Sequence, residues 1–311
     1  MKQTVIAIIG PTAVGKTKLS IEVAKQFNGE IISGDSMQVY KGMDIGTAKV
    51  SIEEMEDVPH YMIDIKEPWE SFSVAEFQTR VKHHIEDIAA KGKLPILVGG
   101  SGLYLQAALY DYNFANKKRD VIITEKLEKQ LEEEGSIRLY NRLKELDPVQ
   151  AHKIHPNNTR RVIRALEIYE TTGMTMTKWQ ESQQLTSPYH LHVVGLEMDR
   201  EVLYSRINDR VDKMLEEGLV KEVEALYEKG YKDTPAMKGI GYKEFIPFFE
   251  MHQSLDETIA TLKQNSRRFA KRQYTWFRNK MDVNWYLLSQ ENTREKVRLI
   301  LSDIAGFLQQ K

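Results

Sequence analysis

Thr4-Val5-Ile6-Ala7-Ile8-Ile9 runs directly into Gly10-Pro11-Thr12-Ala13-Val14-Gly15-Lys16-Thr17. The first six residues form a nearly continuous apolar, β-branched run, the pattern of a parallel-sheet strand buried on both faces. The next eight fit GxxxxGK[ST]. Beyond them Leu19, Val23 and Phe27 recur four apart, on one face of a helix. Strand, glycine loop and helix in that order are the setting in which this octapeptide cradles phosphate. Gly10 and Gly15 let backbone N–H groups turn toward an anion, and the helix adds the positive end of its dipole. Lys16 supplies a point charge, and the Thr17 hydroxyl can ligate Mg²⁺. The stretch predicts an α/β fold: a P-loop NTPase-like core whose mostly parallel sheet is flanked by helices. Which phosphate is bound must be argued from the rest of the site.

Ligands of an open parallel sheet bind beyond the carboxyl ends of its strands. Gly29–Ser33 reads as a second strand ending at Gly34-Asp35-Ser36, which brings Asp35 beside the anion. A carboxylate there can ligate a metal, act as general base, or merely cap a turn. Met43–Lys49 follows as a polar, glycine-punctuated loop. Tyr61–Ile65 reads as another short strand, and Val74, Phe77, Val81 and Ile85 mark a helix face. Leu94–Val98 is a further buried strand, with Pro95 at its start where proline is tolerated. It ends in Gly99-Gly100-Ser101-Gly102, where an ATPase or GTPase usually carries a metal-binding acid. Glycines there would let something bulky approach the backbone, and Ser101 offers a hydroxyl. Asn279-Lys280-Met281-Asp282 spells the guanine-specificity tetrapeptide of GTPases. A cationic helical segment precedes it rather than a strand, so it reads as coincidence.

A chain of 311 residues can bury a large core. With no cysteine it has no disulfides, Cys-ligated zinc, iron–sulfur cluster or thiol nucleophile. The apolar run at Thr4–Ile9 is too short for a secretory signal or for a membrane span of ~20 residues. The expectation is a soluble, cytoplasmic protein with no membrane partner. The 44 basic and 45 acidic residues sum to a net charge of −1, which by itself argues against a nucleic-acid partner.

By position the charges tell another story. From Asn116 to Pro188 apolar strands give way to charged helical stretches, Glu125–Glu134 and Ile137–Leu146, broken at Asp147-Pro148 and His155-Pro156. A helix capped by Asn157 or Asn158 then runs to Gly173, and His190–Met198 returns to strand texture. The expected layout is a core of 1–115 and 190–311 with an all-helical insertion domain at 116–189. Arg160, Arg161 and Arg164 are helix neighbours that repel unless an anion sits between them; alternatively they form a solvated face paired with Glu167. Leu203, Ile207, Val211 and Leu215 mark a later helix, with Arg206 and Arg210 beside the stripe. Lys238-Gly239-Ile240-Gly241-Tyr242-Lys243 is a flexible basic loop. Lys263–Lys280 carries Lys263, Arg267, Arg268, Lys271, Arg272, Arg278 and Lys280 with no acid among them, interleaved with Phe269, Tyr274, Trp276 and Phe277. Cations with aromatics suggest a polyanion surface, although the aromatics can equally be core.

Gly10–Thr17, Ile32–Lys49 and Val98–Tyr104, taken together, resemble the bacterial tRNA dimethylallyltransferases, also called tRNA isopentenyltransferases. His155-Pro156-Asn157-Asn158 with Arg160-Arg161 and Arg164–Glu167, Gly239–Tyr242 and Lys271–Arg278 resemble the same family, in order and over nearly the whole chain. Ser101 stands where the family often has threonine, and Tyr61 follows His60 where many members pair histidines. The resemblance implies transfer of a dimethylallyl group from its diphosphate to N6 of the adenosine 3′ of the anticodon. Gly10 to Thr17 would hold the diphosphate, with Lys16 on it and Mg²⁺ at Thr17. Asp35 would be the general base and Arg210 would face the diphosphate. Asp35, Ser36, Met37, Gln38 and Ser101 would lie against the extruded nucleotide. Arg160, Arg161 and Arg164, the run Lys238, Gly239, Ile240, Gly241, Tyr242, Lys243 and Glu244, and Arg272 would touch tRNA. The insertion would clamp the anticodon stem-loop, with the enzyme a monomer. A P-loop kinase of a small metabolite and a non-catalytic RNA-binding NTPase are the competing readings.

Overall fold

The computed structural model describes residues 2–110, 112, 121–183, 186–289 and 291–310. The chain forms two compact units, Met1–Leu109 with Ser187–Lys311, and Tyr110–Thr186. The second unit begins and ends ahead of the 116–189 expected from sequence texture; residues 113–120, on which that boundary fell, lie outside the described residues.

The first unit is built on six parallel strands: β1 (Thr4–Ile9), β2 (Gly29–Ser33), β3 (His60–Tyr61), β4 (Leu94–Gly99), β5 (His190–Met198) and β6 (Asn284–Leu288). Their order is β3-β2-β4-β1-β5-β6, so the carboxyl ends of β2, β4 and β1 are adjacent. The strand order reverses at β1, because the chain leaves it toward β2 and later returns to its other side as β5. The loops after β1, β2 and β4 therefore meet at the crevice where an open α/β sheet binds ligand.

Every residue of β1 is buried, as its continuous apolar run requires. Ile6 and Ile8 pack with Val23 and Ala24 of the helix Lys16–Gln26, with Leu196 of β5, and with Ile300 and Ile304 of the helix Thr293–Gln309. A second cluster joins Val39, Tyr40 and Met43 to Val211, Leu219, Tyr242, Phe245 and Leu262. It supports the loops on the ligand side of the sheet.

Two strand assignments differ from the sequence reading. The strand expected at Tyr61–Ile65 is only His60–Tyr61. Met62 and Asp64 have φ of 65° and 53°, left-handed values that end a strand. The edge strand β6, with its apolar run Trp285-Tyr286-Leu287-Leu288, has no counterpart in the sequence reading; Tyr286 and Leu288 are buried and Leu287 between them is exposed.

The second unit is helical: Val121–Glu134, Ser136–Leu146, Pro148–His152, Thr159–Thr172 and Met176–Glu181. Leu127, Leu139, Leu143, Val162, Ile163 and Leu166 form its core. Asp147 is buried and ties it together, accepting from Gln150 N (3.0 Å), Thr177 N (2.9 Å) and the Thr177 hydroxyl (2.6 Å). No helix among the described residues is long and apolar enough to cross a membrane.

Candidate functional site

The loop after β1 is shaped for an anion. Gly10 has φ 150°, and a Cβ there would lie 2.7 Å from the carbonyl oxygen of Leu196. The helix Lys16–Gln26 begins at Gly15, with no side-chain cap and no acid in its first turn. Its N-terminal N–H groups and dipole are thus left for a ligand. Lys16 Nζ donates to the carbonyls of Gly10 (3.0 Å) and Pro11 (2.7 Å). Its pKa is lowered to about 7, chiefly by burial and further by repulsion from Arg210, with Asp35 offsetting part of this.

The loop after β2 presents Asp35. Its Oδ1 accepts from Met37 N at 2.8 Å, and Oδ2 has no hydrogen-bond partner among the described residues. The loop after β4 steadies this one: Ser101 Oγ accepts from Ser36 N (3.2 Å) and lies 3.3 Å from Ser36 Oγ. Gln38 lines the smaller of two cavities here, with its amide held by its neighbours. It accepts from Ser33 Oγ at 2.9 Å and donates to the carbonyls of Thr47 (3.3 Å) and Ala48 (3.2 Å).

Arg210 projects from the helix Arg200–Glu216. Its guanidinium is largely desolvated, which lowers its pKa, and it makes no hydrogen bond or ion pair among the described residues. A half-buried cation with no direct partner, only the longer-range attraction of Asp35, Glu54 and Glu217, is poorly compensated, and a bound anion would relieve that cost. Two adjoining cavities meet at Thr12, Asp35, Arg210 and Phe269. The smaller, about 110 Å³, is lined by Lys16, Thr17 and Gln273. The larger, about 340 Å³, is lined by Ser36, Met37, Ser101, Met214, Ile240 and Arg272, with apolar side chains beside the loop hydroxyls.

No cluster of three or more His, Cys, Asp or Glu side chains that could hold a metal by itself occurs among the described residues. The donor set instead fits Mg²⁺ bound chiefly through a ligand's phosphates. The Thr17 hydroxyl has no partner among the described residues and belongs to the lining of the smaller cavity, and Mg²⁺ retains waters and phosphate oxygens in such sites.

Glu222, in the helix Leu219–Glu228, organises the far wall. Its carboxylate accepts from Asp44 N (2.9 Å), Ile45 N (2.8 Å), Gly46 N (3.0 Å) and the Tyr242 hydroxyl (2.7 Å). Tyr242 is fully buried and Glu244 nearly so, accepting from Gly241 N (3.0 Å) and Asn265 Nδ2 (2.8 Å). These two side chains shape the Lys238–Glu244 loop rather than face a ligand. Lys238, Gly239, Ile240 and Gly241 line the larger cavity, and Lys243 is exposed.

The cationic segment is the second half of the helix Leu255–Lys280. Acids from other elements neutralise part of it: Lys263 meets Asp212 at 2.6 Å and Arg278 meets Glu197 at 2.6 Å. Arg268 and Lys271 are exposed without an ion-pair partner among the described residues, and Arg272 lies over the Phe269 ring. Of the aromatics, Phe277 is core and the Tyr274 hydroxyl accepts from Met198 N. Trp276 fills the space beside Gly102, and the Gln273 amide fills the space beside Gly100. What approaches those glycines is therefore this helix, not a bulky ligand. Phe269 alone of the four lines the cavities.

In the helical unit, Arg160, Arg161 and Arg164 are exposed on Thr159–Thr172. Arg164 donates to buried Glu167 at 2.9 Å, the pairing expected of an ordinary surface face. Arg160 and Arg161 have no ion-pair partner among the described residues. Sequence reasoning missed Glu222 and Gln273. Both act over long separations, 178 residues from Glu222 to Asp44 and 261 from Gln273 to Thr12.

The IPP transferase family model matches residues 38–280 of this chain. The tRNA dimethylallyltransferase of Oceanobacillus iheyensis is 61% identical over 311 residues, 100% of this chain and 99% of the relative. That of Bacillus pumilus is 56% identical over 308 residues, 99% and 97% of the two chains. The crystal structure of the full-length tRNA isopentenylpyrophosphate transferase of Bacillus halodurans is similar at TM-score 0.77 and 50% identity. That match covers 99% of this chain and 97% of the other. A eukaryotic dimethylallyltransferase, solved acting on tRNA, is similar at TM-score 0.81 and 36% identity, over 96% of this chain and 78% of its own.

Proposed function

Because the chain belongs to the IPP transferase family, whose relatives identify it as an enzyme transferring a dimethylallyl group to tRNA, we propose that dimethylallyl diphosphate is the donor and N6 of the adenosine 3′ of the anticodon the acceptor. One observation carries this reading. Lys16 and an unpartnered Arg210 converge with the free oxygen of Asp35 where a small polar cavity opens into a larger, partly apolar one. The small cavity suits a diphosphate. The larger suits a prenyl chain and a base withdrawn from its stack.

The adenine amine is a weak nucleophile because its lone pair is delocalised into the ring. As the N6–C1 bond forms and the C1–O bond breaks, N6 gives up a proton and pyrophosphate departs with the bonding pair. Asp35 Oδ2 takes that proton and passes it to solvent, while Met37 N holds Oδ1 and fixes the carboxylate. Lys16, Arg210 and the loop N–H groups stabilise the charge growing on the leaving oxygen. Mg²⁺, held by Thr17 and the diphosphate, would add Lewis-acid stabilisation of that charge. No phosphate ester is hydrolysed, so a second metal-binding acid after β4 is not needed.

Arg160 and Arg161 are read as phosphate contacts to the anticodon stem-loop, in a reaction assigned to the cytoplasm and to a monomer. Arg160→Ala with Arg161→Ala should weaken tRNA binding and reduce the slope of log affinity against log salt by about one to two units. An unchanged slope would make them a solvated face. The acceptor assignment is tested by incubating unmodified tRNA with dimethylallyl diphosphate and mapping the mass gain in nuclease fragments. The gain should fall on the adenosine 3′ of the anticodon; a gain on any other nucleotide would overturn it.

A further inference from the structure

We infer that Gln273 is a positioning residue that sets the separation between the leaving-group loop and the general base. The inference rests on the diphosphate reading of the Gly10–Thr17 loop. Gln273 lies on the helix Leu255–Lys280 and is buried. Its Oε1 accepts from Thr12 N at 3.0 Å, in the loop after β1. Its Nε2 donates to the Gly100 carbonyl at 3.0 Å, in the loop after β4. One amide thus spans two strand-end loops, with its acceptor on one and its donor on the other.

The link continues. Gly100 precedes Ser101, whose hydroxyl accepts from Ser36 N, next to Asp35. The path from the diphosphate loop to the base is therefore Thr12, Gln273, Gly100–Ser101, Ser36, Asp35. Space is matched to the amide as well: a Cβ on Gly100 would lie 2.2 Å from Gln273 Nε2 and 3.3 Å from the Gly10 carbonyl oxygen. One residue earlier on the helix, Arg272 is exposed and lines the larger cavity. The same helical turn thus presents a cation outward and keys the two loops inward.

In-line displacement depends on the distance between the bond that breaks and the amine that attacks, and a misplacement of about 1 Å can cost about 10²-fold in rate. Gln273 acts here through the two loops it joins. Removing it should change turnover through geometry, without the loss of tRNA affinity that follows from losing a phosphate contact.

The test uses the full chain, with Gln273→Leu and Gln273→Glu beside wild type. Magnesium pyrophosphate binding, tRNA binding, melting temperature and single-turnover prenylation at saturating substrates are measured well below every melting transition. Q273L should prenylate about 10–10²-fold more slowly, with tRNA affinity within about two-fold of wild type. In Q273E the ionised carboxylate would still accept from Thr12 N but repel the Gly100 carbonyl; once protonated, the carboxyl could donate there. The Q273E rate, relative to wild type, should therefore recover as pH falls from about 8 to about 6, while the Q273L ratio stays flat. A helix anchor alone would lower the melting temperature and leave the rate of folded enzyme unchanged. If wild type binds pyrophosphate and Q273L prenylates within about two-fold of it, the positioning role is wrong and the diphosphate reading stands. If wild type does not bind pyrophosphate, the diphosphate reading fails and this inference fails with it.

Discussion

Asp35→Asn should lower single-turnover prenylation by about 10²–10⁴-fold, with tRNA affinity within a few-fold of wild type. The asparagine can still accept from Met37 N through the oxygen that replaces Oδ1, so the loop after β2 keeps its shape. What is lost is the oxygen proposed to take the N6 proton. Asp35 also raises the pKa of Lys16, so the substitution weakens that lysine's charge. Saturating dimethylallyl diphosphate and a pH below 7 separate the two effects, because Lys16 then stays protonated in both proteins. Asp35→Ala should behave similarly but with a looser loop. Turnover of the Asn variant within a few-fold of wild type would remove Asp35 from the chemistry.

Lys16→Ala should lower kcat/KM by about 10²–10³-fold, since a preorganised donor is removed from the leaving group's charge. Its signature is in the pH dependence. Free Lys16 titrates at about 7, because burial and Arg210 disfavour its charge. A bound diphosphate favours the protonated form and raises that pKa. Pyrophosphate affinity should then weaken as pH rises above 7, and binding in that range should take up protons. Calorimetry in two buffers of different ionisation enthalpy reads the uptake. Pyrophosphate contributes its own protons in both proteins, so the difference between wild type and Lys16→Ala reports Lys16. Equal proton uptake in the two would show that this ammonium does not meet the diphosphate.

The sequence made some of this legible and not the rest, for physical reasons. β1 and its loop could be read directly because a buried parallel strand is apolar throughout and the glycine loop is local chemistry. The helical unit announced itself by losing such strands, although Glu167 neutralises Arg164 as a plain surface would. The Tyr61–Ile65 reading failed because strand propensity at Met62–Ile65 yields to left-handed turns at Met62 and Asp64. From sequence, the aromatics of Lys263–Lys280 could be stacking groups or core. Phe277 is core, Trp276 packs on Gly102 and Tyr274 reaches β5. The same ambiguity hid Gln273, a polar residue in a cationic helix whose partners lie more than a hundred residues away. Glu222 was hidden likewise; in sequence it is one acid among 45 acidic residues, and only the fold brings four donors to it.

The Gly10–Thr17 loop is proposed to serve a prenyl diphosphate rather than a nucleotide. This is tested most directly by one paired incubation: unmodified tRNA and Mg²⁺ with either dimethylallyl diphosphate or ATP, followed by mass analysis of the nucleosides and phosphate products. Adenosine should gain five carbons with the prenyl donor, with neither phosphate transfer nor nucleotide hydrolysis from ATP. Phosphate transfer or ATP hydrolysis without any prenylation would contradict this reading.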